Sequence, residues 1–201
     1  MNWEVPLIWP GRTVAVLASG PSMSQEVADR VRHLPRITVN TTYRLAPDAD
    51  IIYGCDASWW QVNPGALACP GLKVSMEVMQ GVRQELPASV HVLRHTGREG
   101  FDPHPGCLRT HNNGGAQAVQ VAAHAGAEQI ILLGFDMHGG HWHEAQQIDP
   151  RQFERWIYRF RELARVLSWR GVDLVNCTEG SALDSVRRSS LDEVLAQREA
   201  A

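Results

Sequence analysis

The chain contains no Cys-x-x-Cys pair, no run of about 18 apolar residues and no excess of basic charge, and each absence removes a class of function. Cys55, Cys69, Cys107 and Cys177 are scattered, which argues against a disulfide framework and against a zinc knuckle; reduced thiols in a cytoplasm are the expectation. Lys and Arg number 19 against 22 Asp and Glu, a formal charge of −3, so no global field draws nucleic acid or an anionic membrane. The arginines spread along a helix face as ordinary solvated surface, so nucleic acid is not an expected partner. An anionic ligand must therefore be held locally. Met1 to Pro10 lacks a basic start followed by a long apolar run, so neither secretion nor membrane spanning is expected. There is no G-x-G-x-x-G and no G-x-x-x-x-G-K-[ST], which disfavours a nicotinamide dehydrogenase and a P-loop NTPase.

What is present is a repeating alternation of short apolar runs and helical patterns. Thr13 to Ala18, Ile37 to Asn40, Ile51 to Gly54, Val90 to Leu93, Gln129 to Gly134 and Val172 to Val175 read as strands covered on both faces, with Leu72 to Ser75 as a seventh. The predicted class is α/β: one doubly wound, Rossmann-like, mostly parallel sheet of six to seven strands with helices on both faces, in a single domain over residues 1–201. Phe153, Trp156, Ile157, Phe160, Leu163 and Leu167 form an apolar stripe on a predicted helix over Asp149 to Arg170 and read as core. Residues 97–115, crowded with Gly, Pro and His, read as a long functional loop, because structureless segments beyond about 12–15 residues are usually lids or binding loops. A short helix over Leu191 to Arg198 ends the chain.

The chemistry-bearing residues fall at the predicted strand ends. The first strand runs into Ser19-Gly20-Pro21-Ser22 and a helix start, with Ser22 or Ser24 placed to cap it opposite Glu26; backbone N–H groups there, with Gly20 permitting close approach, make a phosphate site. A plain turn with a serine cap explains the same residues. Asn40 ends the second strand and could hydrogen-bond a ribose or base, or form a turn; Asp56 follows the third and could face a ligand or cap a helix. Asn113 and Gly114 open the small-residue helix as a second phosphate-facing turn. After Gly134 comes a His-rich loop over residues 136–148, where Asp136, His138, His141 and His143 could ligate a divalent metal, one histidine could act as general base, or the loop is simply solvated.

In order, Leu17-Ala18-Ser19-Gly20-Pro21-Ser22, Val39-Asn40, Asn113-Gly114-Gly115, Leu133-Gly134-Phe135-Asp136, His141-Trp142-His143 and Asn176 to Ser181 resemble the Rossmann-like bacterial sialyltransferases that use CMP-sialic acid. The pattern is similar also to the wider group holding the archaeal-type 6-hydroxymethyl-dihydropterin pyrophosphokinases and short phage-encoded relatives. The resemblance covers residues 12–190. It implies a nucleotide or nucleotide-sugar donor, CMP-type favoured, held by Ser19, Gly20, Pro21, Ser22, Asn40, Asn113 and Gly114, with Thr178 and Ser181 closing the pocket. It implies His143 as the base that activates a hydroxyl acceptor, with His141, from the same loop, as the alternative. Ser19 stands where those enzymes have Asn, Asn113 where they have a hydroxyl residue, and this chain is shorter, so sugar specificity is not carried over. Two other readings accompany this one: Mg²⁺-dependent pyrophosphoryl transfer from ATP with Asp136 and Asp56 on the metal, and a non-catalytic nucleotide-binding module. A homo-oligomer is left open.

Overall fold

Strand β1 (Thr13–Leu17) sets the pattern for the sheet. Successive side chains of a strand point to opposite faces, and here both faces are covered. Val14 and Val16 join a core with helix α4 (Gly114–His124) and helix α5 (Pro150–Trp169), whereas Ala15 and Leu17 join a second core with α1 (Gln25–Arg30), α2 (Ala57–Val62), α3 (Pro64–Ala68) and α6 (Leu191–Glu199). Neither face reaches water, which is why the strand sequences are continuous apolar runs rather than alternating ones.

The computed structural model describes residues 3–78, 85–144 and 148–199. Beyond β1 come β2 (Arg36–Val39), β3 (Ile51–Tyr53), β4 (Leu72–Met76), β5 (Val90–His95), β6 (Cys107–Leu108), β7 (Gln129–Leu133), β8 (Asp173–Asn176) and β9 (Arg187–Arg188). They form one sheet in the order β6-β5-β4-β3-β2-β1-β7-β8-β9, and every neighbouring pair is parallel. The doubly wound class expected from the sequence is present, with nine strands in place of six or seven. The two additional strands are two residues long, too short to leave a periodic signal. One of them, β6, pairs with Arg94 and His95 and lies inside the segment 97–115, so that segment is not a structureless loop.

The helices carry their own start and stop signals. Ser24, not Ser22, caps α1, its Oγ accepting from the Val27 N–H at 3.2 Å. Asn113 caps α4 by accepting from the Ala116 N–H at 2.9 Å, and Gly126, at φ +95°, turns the chain out of it. Asp149 and Pro150 open α5, whose Phe160, Leu163 and Leu167 are buried. None of the described helices is long and apolar enough to cross a membrane.

His124, in the last turn of α4, donates from Nε2 to the Cys107 carbonyl at 3.1 Å and packs on Phe101, tying β6 to the helix layer. Burial brings its pKa down from 6.5 to about 4. The neutral ring thus contributes stability in full above pH 6.5, and that contribution is lost as pH falls through the folded value near 4. The shift corresponds to about 3 kcal/mol. His124→Gln should flatten the dependence of urea-unfolding free energy on pH between 6.5 and 4. An unchanged slope would show that the ring titrates normally in the folded chain.

Candidate functional site

After β1 the chain adds strands in one direction, and β7 then returns to the other side of β1. In open α/β sheets this switch point leaves a crevice beyond the carboxyl ends of the strands. A cavity of about 440 Å³ fills it, and Ser19, Gly20, Asn40, Asp56, Asn113, Gly114, Asp136, His138 and His141 all reach its wall. Nine of the residues singled out in the sequence are thereby brought together from the ends of β1, β2, β3 and β7 and the start of α4.

The β1 turn is occupied from within the protein. The Asp136 carboxylate accepts from the Ser22 N–H at 3.1 Å and from the Ser22 hydroxyl at 2.9 Å, and the Gly20 N–H donates to the Gly134 carbonyl at 3.0 Å. A Cβ on Gly20 would lie 1.9 Å from Asp136 Oδ2 and 2.5 Å from the Gly134 oxygen. The close approach that requires glycine here is thus that of Asp136 and of the neighbouring strand end, where the sequence pointed to a ligand. Burial holds the Asp136 carboxyl above the ordinary aspartate range, partly offset by the Ser22 hydrogen bonds and by His138.

The free helix terminus at the cavity belongs to α4. Gly114 and Gly115 occupy its first turn, and among the described residues their N–H groups meet no acceptor. The Asn40 side chain lies across from Gly114, and its buried Oδ1 finds no partner among the described residues. Backbone strain gathers at the same edge: Asn40, His111, Asn112 and Met137, at φ between 48° and 57°, are the non-glycine residues with positive φ among those described. Asn tolerates this region, but for His and Met it costs on the order of 1–3 kcal/mol each. His111 is held in place by burial, by donating from Nε2 to the Gly100 carbonyl at 2.8 Å, and by Arg159, whose guanidinium donates to its carbonyl at 3.3 Å.

The His-rich loop is anchored over the end of β1 through His141 and Trp142, while His138, Gly139 and Glu144 are exposed; its residues 145–147 lie outside those described. The Trp142 N–H and His141 Nδ1 both donate to the Ser19 carbonyl at 3.2 Å, and Trp142 Nε1 donates to Thr42 Oγ1, which lies 3.0 Å from Ser19 Oγ. Because a carbonyl only accepts, Nδ1 of His141 carries a proton, and in the neutral ring Nε2 is the nitrogen left to accept. His143 stacks on His141, its pKa lowered chiefly by burial, and it lines a polar cavity with Arg44 and Trp59 that shares Ser19, Asn40 and His141 with the switch-point cavity.

Other expected residues fall elsewhere. Thr178 and Ser181 lie behind the β7 exit: Thr178 Oγ1 accepts from the Phe135 N–H, and Ser181 Oγ donates to the Phe135 carbonyl while Asn176 Nδ2 donates to Ser181 Oγ. They brace the site and do not line the cavity. Asp56 is at the cap position of α2, yet its side chain makes no capping bond and is exposed at the cavity. Asp136 is engaged by Ser22, His138 Nε2 donates to the Gly180 carbonyl at 3.3 Å, and no three His, Cys, Asp or Glu groups gather for a metal among the described residues. Cys55 is in the wall, but burial pushes its thiol up to about 12, so it is no nucleophile near neutrality.

Phe153 and Trp156, read from the sequence as core, do pack against it but also line the cavity at the start of α5, and Trp156 Nε1 has no partner among the described residues. Helical periodicity alone does not separate a stripe that meets a core from one that begins at a cavity; the polar handle of a Trp was the available signal. Comparison of the chain with protein-family models, with curated proteins and with solved structures returns no match.

Gly20→Ala should lower stability by about 3 kcal/mol, at the upper end of overpacking costs because both obstacles are held by the sheet. Urea unfolding measures this, and the loss should be smaller when Gly20→Ala is made in an Asp136→Ala background. Additive losses would mean that the two residues do not oppose each other.

Proposed function

We propose that the cavity at the switch point binds a nucleotide-activated donor, a nucleotide sugar with CMP-type favoured, and that the protein is a transferase moving the activated group to a hydroxyl acceptor. The observation that carries this reading is the convergence on one crevice of strained backbone, unclaimed α4 amides and buried polar atoms without partners, a cluster typical of preorganised sites. The resemblance to the CMP-sialic acid-dependent sialyltransferases supports the same assignment.

The donor phosphate is assigned to the Gly114 and Gly115 amides at the positive end of α4, with Asn40 on the adjoining sugar or base. The β1 turn is a poorer phosphate site, because the Ser22 donors already serve Asp136 and a second anion there would meet that carboxyl. His141 is assigned as general base in preference to His143, since it borders the switch-point cavity, which His143 does not line, and in the neutral ring a protonated Nδ1 leaves Nε2 as the acceptor. In the transfer, the acceptor oxygen bonds to the donor carbon as the carbon–oxygen bond to phosphate breaks. The nucleotide leaves with the electron pair, and the acceptor proton passes to His141 Nε2. Helix α4 stabilises the charge that builds on the leaving phosphate.

A thermal-shift series with CMP, UMP, GMP, AMP, their sugar conjugates and ATP, with and without Mg²⁺, tests the donor, because native-state binding raises apparent stability. The expected result is a metal-independent preference for a pyrimidine nucleotide. An ATP shift that requires Mg²⁺ would favour pyrophosphoryl transfer, with Asp56 as a carboxylate exposed at the cavity; donor binding without turnover would favour a binding module; no shift with any nucleotide would overturn the proposal. With the substrate pair in hand, His141→Gln should lower turnover by about 10²–10⁴-fold while keeping the donor shift.

A further inference from the structure

A second cavity, of about 690 Å³, opens on the far side of His141 between the His-rich loop and the first turns of α5. It shares Met137, His138, Gly140, His141, Ile148 and Phe153 with the switch-point cavity, so the two are continuous and His141 borders both. Its walls differ in chemistry. Met137, Ile148, Pro150, Phe153 and Ile157 make it apolar, its charged groups are the carboxylates of Glu144 and Glu154, and no arginine or lysine lines it among the described residues. The polar cavity beside His143, by contrast, contains Arg44.

We infer that this apolar cavity is the acceptor subsite and that it takes a hydroxyl-bearing compound with an aromatic or branched aliphatic body and no negative charge. The inference rests on the transferase reading above for the word acceptor, and on the cavity's own walls for the class of ligand. Burying an apolar ring against Phe153 and Ile157 supplies affinity at roughly 25 cal/mol per Å² removed from water. An anionic substituent would be desolvated beside Glu144 and Glu154 with no arginine or lysine among the described residues to receive it. An alcohol seated there directs its hydroxyl past His141 toward the donor cavity, so both substrates meet at the imidazole that borders each space.

The test follows the methionine methyl resonances of the full chain by NMR while 4-phenyl-1-butanol, 4-phenylbutylamine or 4-phenylbutyrate is added, with Met137 assigned from the signal lost in Met137→Leu. The alcohol and the amine should shift the Met137 methyl, and the carboxylate should bind at least 10-fold more weakly, the loss expected for a desolvated unpaired charge. Ala182 is exposed at the mouth, so Ala182→Trp should fill the space and weaken the alcohol at least 10-fold while leaving the nucleotide thermal shift as it was. Should Ala182→Trp fail to fold, Glu154→Lys, at an exposed helix position, should bring carboxylate binding to within a few-fold of the alcohol. A silent Met137 methyl, equal binding of carboxylate and alcohol, or undiminished alcohol binding by folded Ala182→Trp would each overturn the inference. A nucleotide shift without alcohol binding would overturn the subsite alone, whereas alcohol binding without any nucleotide shift would overturn the acceptor role together with the transferase reading.

Discussion

The carboxylate of Asp136, buried against Ser22, is the constraint on which the site depends. It ties the end of β7 to the turn leaving β1, the two strands on either side of the switch point, and so decides where the crevice can open. A buried carboxyl is costly unless its oxygens are satisfied, and the Ser22 N–H and hydroxyl answer one oxygen each. Gly20 follows from this, because any side chain would occupy the space the carboxylate needs. The network of Asn176, Thr178 and Ser181 follows as well: it grips Phe135 by both its N–H and its carbonyl, and so fixes the residue that precedes Asp136.

The same interaction redistributes the electrostatics of the crevice. A Gly-Pro-Ser turn at a helix start would ordinarily favour an anion, but α1 has only six residues and the turn's donors face Asp136. The uncompensated positive end near the cavity is then that of α4, which is 11 residues long and has glycine at its first two positions. Attraction at α4 and a carboxyl at β1 give the crevice a direction, favouring an anionic group at one side and hydrogen-bond donors at the other.

Much of this architecture was legible in the sequence because parallel strands buried on both faces announce themselves as apolar runs, and seven of the nine strands were read that way. The gathering of Asn40, Asp56 and Asp136 at one edge followed from strand ends alone, since doubly wound topology sends every such end to the same side, whereas Asn113, read as a phosphate-facing turn, proved to be the cap of α4. What was not legible was pairing between distant segments. Ser22 offers itself equally as a cap, an anion ligand or a partner for a carboxylate 114 residues away, and local sequence does not choose among them. Thr178 and Ser181 carry the same ambiguity: small hydroxyl residues near a site suit a ligand and a buried network equally, and the brace they form depends on the position of Phe135. Strand β6 escaped because two residues cannot display a period.

The position of the imidazole at the crevice illustrates why strand ends matter more here than the loop that bears it. His141 belongs to the loop after β7, and its Nδ1 proton and the neighbouring Trp142 N–H both end on the carbonyl of Ser19, the second residue beyond β1. Ser19 is itself held by its hydroxyl bond to the Val39 carbonyl at 3.0 Å. The tautomer and placement of the ring are therefore set by the sheet edge, through two hydrogen bonds to one buried oxygen. His143 stacks on the same ring, so a neighbour along the loop also helps to fix its plane where the two cavities meet.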